Sequence, residues 1–239
     1  MTLTSSQIKV LGLIPARGGS KGIPGKNIKS LAGKPLLAYT VDSALESTLL
    51  TKTILSSDDQ QIIDAALQTG LEVPFVRPSD LAADVSPTLP VVIHALDFFA
   101  QRGEFFDAVC LLQVTTPFRR KGLIDEAIRR LEESGADAVV SVLPVPHEYN
   151  PHWVFEPQPS GLLSIATGEQ KIISRRQELP PAFFRDGAIY LTRTKVLLEQ
   201  NSLYGDKLAY ILGDENRYVN LDTMQDWAKA EILVKTLFA

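Results

Sequence analysis

The chain has 239 residues, of which 45% are hydrophobic and 22% charged, with a formal net charge of −4. That size and apolar content suffice for one substantial α/β core, and Gly and Pro at 15 each argue against disorder. The negative balance argues against a nucleic-acid binder working through bulk positive charge, though a local basic cluster can still hold an anionic small molecule.

The single cysteine, Cys110, excludes an intrachain disulfide and predicts a reducing, cytoplasmic setting. It lies in the apolar run Ala108-Val109-Cys110-Leu111-Leu112, where a buried inert thiol is expected rather than a nucleophile. Met1 to Lys9 carries no apolar core of a secretory leader. No apolar run is long enough to cross a bilayer, so no membrane role is expected.

Val10-Leu11-Gly12-Leu13-Ile14 reads as a short buried strand, followed by a Gly- and Pro-punctuated loop from Pro15 to about Lys34. Pro35 is placed to begin a helix running to about Ser47. Thr53 to Ser56 is a second strand. Asp58-Asp59 then opens a helix with Ile62, Ile63, Ala66 and Leu67 on one face. Val73 to Val76 reads as a third strand, Val91 to Ala100 as a helix and Asp107 to Gln113 as a fourth strand. Ile124, Ala127, Ile128 and Leu131 mark another amphipathic helix, and Ala138 to Val142 a fifth strand. Strands alternating with helices predict βαβ units and a mainly parallel sheet. Their unbroken apolarity predicts burial on both faces.

From Pro144 the texture changes, with Pro146, Pro151, Pro157, Pro159, Pro180 and Pro181 breaking the chain. Trp153-Val154-Phe155 and Ile172-Ile173 are strand-like pieces between them. This predicts an inserted excursion of hairpins, about residues 144–186, within a single domain spanning 1–239. The core pattern returns at Gly187 to Leu191 and continues through Ala209 to Leu212 and Tyr218 to Leu221. A closing helix carries Trp227, Ala230, Val234 and Leu237 on one stripe. His94, His147 and His152 lack a metal-ligand spacing, and His94, among Val92, Ile93 and Leu96, reads as a packing residue.

The most informative segment is Ile14-Pro15-Ala16-Arg17-Gly18-Gly19-Ser20-Lys21-Gly22-Ile23-Pro24-Gly25-Lys26-Asn27. It leaves the first strand where open α/β sheets bind ligands. Between Pro15 and Pro35 stand Arg17, Lys21, Lys26, Lys29 and Lys34, with no Asp or Glu. Basic side chains and accessible amides on a glycine-rich loop suit a polyphosphate. The P-loop pattern fails, because Ser20 stands where its first Gly belongs and Asn27 follows Gly25-Lys26. GxGxxG is absent too, so neither an ATPase nor a nicotinamide enzyme is favoured. The plain alternative is a solvated basic loop.

This segment resembles the signature of the CMP-acylneuraminate (CMP-sialic acid) synthetase family. The resemblance implies a three-layer Rossmann-like nucleotidyltransferase fold, with a hairpin arm that serves dimerisation. It implies that Arg17, Ser20, Lys21 and Lys26 grip the triphosphate of CTP, with Ala16 and Gly18 in the same loop. Asn27 would lie near the nucleotide's sugar or base. Ser56-Ser57-Asp58-Asp59 is similar to the family's Ser-Thr-Asp-Asp, and a helix cap is the structural alternative. Arg77-Pro78-Ser79-Asp80-Leu81-Ala82-Ala83-Asp84 resembles the segment before the cytosine pocket, making Arg77 and Ser86 candidates for the base site. Asp84 could equally cap a turn.

Leu111-Leu112-Gln113-Val114-Thr115-Thr116-Pro117-Phe118-Arg119 is similar to the family's Leu-Leu-Gln-Pro-Thr-Ser-Pro-Leu-Arg, implying that Gln113 bonds the acceptor sugar. CMP-Kdo synthetases typically carry Gln-Gly-Asp-Glu-Pro there. Arg175-Arg176-Gln177-Glu178-Leu179-Pro180 and Asp186-Gly187-Ala188-Ile189-Tyr190 resemble the family's carboxylate-gripping region. Arg176, Arg185 and Tyr190 are the sugar-site candidates, since a guanidinium fork suits a carboxylate. His147-Glu148-Tyr149-Asn150-Pro151 resembles the turn at the base of the arm. His152 and Trp153 stand where some sialic acid enzymes have a Lys, which opens the way to a different nonulosonic acid.

The family closes its core with Asp-x-Asp holding Mg²⁺, and this chain has Asn220-Leu221-Asp222. On a strand both side chains would face one ion. Alternatively, Asp222 caps the last helix. The resemblance as a whole implies a homodimeric enzyme that joins CMP from CTP to an acidic nonulosonic sugar and releases pyrophosphate. Arg17, Lys21 and Asp222 would carry the catalysis. A CMP-Kdo-type or other sugar nucleotidyltransferase, or a non-catalytic nucleotide-binding homologue, stand as alternatives.

Overall fold

The structure is a computed structural model and describes residues 7–83 and 86–238. In chain order its elements are β1 (Val10–Pro15), β2 (Ser30–Leu31), β3 (Lys34–Pro35), α1 (Leu36–Leu45), β4 (Lys52–Ser56), α2 (Gln60–Gln68), α3 (Thr88–Ala100) and β5 (Ala108–Leu111). They continue with α4 (Leu123–Ser134), β6 (Ala138–Pro144), β7 (Phe155–Pro157), β8 (Leu163–Ile165), β9 (Phe183–Arg193), α5 (Thr194–Glu199), β10 (Leu208–Leu212) and α6 (Met224–Leu237). The chain divides into two compact units, Met1–Ser141 with Asp186–Ala239, and Val142–Arg185.

The large sheet has the order β10-β6-β9-β5-β1-β4. β1 pairs in parallel with β4 and with β5, aligning Leu13 with Ile54 and with Leu111. β9 then pairs antiparallel to β5, with Cys110 opposite Leu191. Successive strand residues point to opposite faces, and each face has its own core. Val10, Ile14, Ala108, Cys110 and Leu112 pack with Leu37, Ile62, Ile128 and Trp227 from α1, α2, α4 and α6. Leu11, Leu13, Val109 and Leu111 pack with Val92, Leu96 and Phe99 of α3 and Leu197 of α5. Two cores fed by one strand explain why these strands are apolar without alternation. They also make the fold a three-layer α/β arrangement.

Local chemistry sets the helix ends. Asp59 is the N-cap of α2, its Oδ1 accepting from Gln61 N–H (2.8 Å) and Ile62 N–H (3.1 Å). The α6 cap is Thr223, not Asp222, because Asp226 three residues on completes a capping box with it. Pro35 pairs with Ser30 in the β2–β3 ladder and caps α1 rather than forming its first turn.

Several expected strands are not strands. Val73 to Val76 contributes none, and only the preceding Glu72 bridges Ile54. Pro74 has no N–H to extend that ladder. Trp153 closes a 3₁₀ turn, Pro151–Trp153, and pairing begins at Phe155. Ile172-Ile173 lies outside any strand. Tyr218 to Leu221 runs outside the sheet, held by Leu221 N–H donating to the Thr115 carbonyl at 2.9 Å. Asp84 lies outside the described residues.

Within Val142–Arg185, β7 and β8 form an antiparallel pair with Phe155 opposite Ile165. Asn150 Nδ2 donates to the Pro180 carbonyl (3.0 Å), and Trp153 Nε1 donates to the Ile173 carbonyl (2.7 Å). His152 Nδ1 lies 2.5 Å from Glu169 Oε1. Among the described residues no helix is long and apolar enough to cross a membrane.

Candidate active site

The loop after β1 is held by three bonds that the sequence places within it and beside it. Ala16 N–H donates to the Ser56 carbonyl at 3.0 Å, so the chain leaves β1 in step with β4. Gly18 N–H donates to Asp58 Oδ1 at 3.1 Å. Asn27 Nδ2 donates to the Arg17 carbonyl at 2.9 Å, folding the loop back on itself. Asn27 is buried, so its amide braces the loop from beneath. Gly25, at φ 63°, turns the chain into the short 3₁₀ segment Lys26–Ile28.

This loop borders a cavity of about 500 Å³ at the carboxyl ends of β1 and β5. Arg17, Ser20, Lys21, Lys26 and Asn27 reach it from the loop, and Gln113 from the end of β5. Arg77 and Ser86 line it from the connection before α3, and Asn220 and Asp222 from the segment before α6. Residues more than 200 positions apart thus converge on one space, and most of its charge is positive.

Each group has a defined support. Arg17 Nη1 approaches the Ala82 carbonyl at 3.4 Å. Arg77 is buried, its Nε donating to Ser56 Oγ (3.0 Å) and its Nη2 to the Ser56 carbonyl. Burial lowers its pKa to about 10, with Asp58 opposing that shift and Arg17 adding to it, so it is charged at neutral pH. Ser86 Oγ donates to the Asp80 carbonyl at 2.9 Å. Lys26 Nζ donates to the Leu221 carbonyl (2.6 Å) and stands 3.4 Å from Asp222 Oδ1. Asn220 Nδ2 donates to Asp222 Oδ2 at 2.6 Å.

Three candidates are not among these lining residues. Tyr190 does not line the cavity; it packs on the α3–α5 side of the sheet, its ring centroid 6.2 Å from that of Tyr204. Arg176 opens a 3₁₀ turn, Arg176–Glu178, and Arg185 is exposed on β9, both within the Val142–Arg185 unit.

The cytidylyltransferase family profile matches residues 11–212. The chain belongs to the cytidylyltransferase family. It is 37% identical to the CMP-N,N'-diacetyllegionaminic acid synthase of Legionella pneumophila, over 95% of this chain and 97% of that protein. It is 33% identical to the pseudaminic acid cytidylyltransferase of Campylobacter jejuni, again over 95% of this chain and 97% of the relative. Among solved structures, a CMP:2-keto-3-deoxy-manno-octonic acid synthetase complexed with CTP shares the fold. Its TM-score is 0.71 at 16% identity, covering 96% of this chain and all of that one.

Sequence reading overlooked one buried support of this cytidylyltransferase. Arg119 is buried, and its guanidinium donates to the Gln113 carbonyl (2.7 Å), the Ala188 carbonyl (2.8 Å) and Thr40 Oγ1 (3.1 Å). It ties the end of β5 to β9 and α1. Burial lowers its pKa to about 10. An Arg closing a polar turn gave no signal of this, since its acceptors are distant in sequence. Asp186 is also buried, accepting from Ser141 Oγ and from Ala188 N–H (2.9 Å).

Among the described residues no group of three or more His, Cys, Asp and Glu could hold a metal ion. Asp222 and Asn220 nevertheless offer two oxygen donors side by side, since a half-turn of the Asn220 amide would bring its oxygen beside the carboxylate. One carboxylate and one amide oxygen suit a magnesium ion that keeps phosphate and water as its other ligands.

Proposed function

We propose that this cytidylyltransferase joins CMP from CTP to a nonulosonic, sialic-acid-like sugar and releases pyrophosphate. The observation that carries this reading is that the basic glycine loop, Gln113 and Asp222 line one cavity. The legionaminic and pseudaminic acid relatives, matched over nearly their full lengths, support the acceptor class.

In this reading the anomeric hydroxyl of the sugar attacks the α-phosphorus, a new P–O bond forms and the bond to the pyrophosphate oxygen breaks. Negative charge grows on the leaving oxygens. Arg17 and Lys21, with Ser20 beside them, oppose it from a position fixed before the reaction begins. Arg77 and Ser86 face the base, and Gln113 the acceptor. Arg176 and Arg185 are the candidates for the sugar carboxylate. A magnesium ion held by Asp222, with Asn220 as a neutral partner, supplies charge neutralisation on the phosphates when bound.

The Val142–Arg185 unit is proposed as an arm for a homodimer, and the lone buried Cys110 supports a cytoplasmic setting. The deciding experiment measures pyrophosphate release from CTP, UTP, GTP and ATP against sialic, legionaminic and pseudaminic acids and an eight-carbon 3-deoxy acid. Release is expected from CTP with a nine-carbon acid. Release only with the eight-carbon acid, or none with any pair, would remove this reading.

A further inference from the structure

We propose that Lys26 is a positioning residue for Asp222, fixing the segment that carries this carboxylate against the phosphate loop and thereby setting how tightly the site holds a divalent cation. The inference rests on the nucleotide reading above and adds to it a role that basic charge alone does not imply.

The backbone at Lys26 is anchored on both sides. Its N–H donates to the Ile23 carbonyl (3.1 Å), and its carbonyl accepts from Lys29 N–H (3.2 Å). The Lys26 side chain is only 12% exposed, so its ammonium needs acceptors in place. It finds the Leu221 carbonyl at 2.6 Å and Asp222 Oδ1 at 3.4 Å. Segment 220–222 has no sheet ladder to define it. Leu221 is instead held by both of its main-chain polar groups, its N–H on the Thr115 carbonyl and its carbonyl on Lys26. The carboxylate itself is 63% exposed, so the Lys26–Asp222 pairing adds little stability. Its consequence is geometric. Oδ1 is turned to the loop, and Oδ2 is left beside the Asn220 amide. An ammonium has three donors, so the bonds to Leu221 and Asp222 leave Lys26 compatible with a phosphate oxygen as well.

The test uses the full chain with Lys26→Met, Lys26→Gln and Lys26→Arg. Mn²⁺ binding is followed by electron paramagnetic resonance with saturating CTP and no acceptor sugar. CTP binding in EDTA is followed by calorimetry, and amide exchange is read over residues 219–223. In Lys26→Met and Lys26→Gln the Mn²⁺ dissociation constant should rise at least tenfold, CTP affinity in EDTA should fall by a smaller factor, and exchange in the segment should quicken. Lys26→Arg, able to reach the Leu221 carbonyl, should recover most of the Mn²⁺ affinity. Lys26→Gln, polar but one atom too short to reach that carbonyl as lysine does, serves if Lys26→Met does not fold. A larger loss of CTP in EDTA than of Mn²⁺, or unchanged Mn²⁺ affinity, would make Lys26 a phosphate ligand only and overturn the proposal. Failure of the unmutated protein to bind CTP in either condition would overturn the nucleotide reading itself, and this inference with it.

Discussion

The Gly22 backbone passes so close to Asp222 that a Cβ on Gly22 would stand 2.1 Å from the Asp222 carbonyl oxygen. Both partners at that contact are main chain, so neither can rotate aside. Gly22→Ala must push the phosphate loop and segment 220–222 apart. We expect kcat/KM to fall at least a hundredfold, and stability to drop by about 1–3 kcal/mol as in other overpacked sites. Steady-state kinetics and thermal melting check this, and a variant with both values unchanged would mean that the two segments do not meet in solution.

Arg17 and Lys21 line the cavity from a loop braced by Asp58 and Asn27. Charge in place before the reaction needs no reorganisation when the leaving oxygens become negative. Arg17→Ala or Lys21→Ala is therefore expected to reduce turnover roughly a hundredfold to a thousandfold, equivalent to ~3–4 kcal/mol. Pyrophosphate release under saturating CTP is the measurement. Near-normal turnover in both variants would take the loop out of the mechanism.

Much of this arrangement was legible because it is local. The strand–loop–helix order, the position of the basic loop after β1 and the Asp59 cap all follow from neighbours in sequence. The antiparallel entry of β9 beside β5 was not legible, since Ala188, Ile189 and Leu191 are as apolar as any parallel strand's residues. Nor was the extended path of Tyr218 to Leu221, which owes its shape to Thr115 and Lys26 rather than to its own pattern. The Asn220–Asp222 pair was expected to share a strand face. It comes together instead through a side-chain hydrogen bond on irregular backbone. Arg119 shows the same limit, because nothing in its spacing says that three acceptors await it.

Removing Arg119 leaves the Gln113 and Ala188 carbonyls without their buried donor. Arg119→Leu should cost about 3 kcal/mol, taking hydrogen bonds to a charged group at their usual worth. That corresponds to a melting temperature lower by roughly 6–12 °C for a chain of this size. Arg119→Lys should recover little, since an ammonium cannot reproduce the planar fork that spans β5, β9 and α1. A melting curve for Arg119→Lys that overlays the unmutated protein's would contradict this account.

Cys110 is fully buried in the core between β5 and the helices, and burial pushes its thiol pKa up to about 12. The thiolate is the reactive form, so a thiol reagent at about pH 8 should leave the native protein unlabelled and modify one site per chain after denaturation. Rapid labelling of the folded protein would show that this core opens readily.

His94 in α3 meets the ring edge of Phe75 at 4.7 Å between centroids, and its buried Nδ1 has no hydrogen-bond partner. Burial lowers its pKa below 6.5; Arg77 acts in the same direction, while Asp97 and Asp80 oppose it. A histidine whose folded pKa is depressed binds fewer protons in the folded than in the unfolded chain. Its stabilising contribution is therefore complete above the unfolded pKa and is lost as pH falls through the folded one. Denaturant titrations from about pH 7 to about pH 5 should show the unmutated protein losing stability faster than His94→Leu, whose side chain suits the contact with Phe75 and has no proton to gain. Parallel profiles for the two proteins would mean that His94 is hydrated and titrates normally, and that its ring is not held against Phe75.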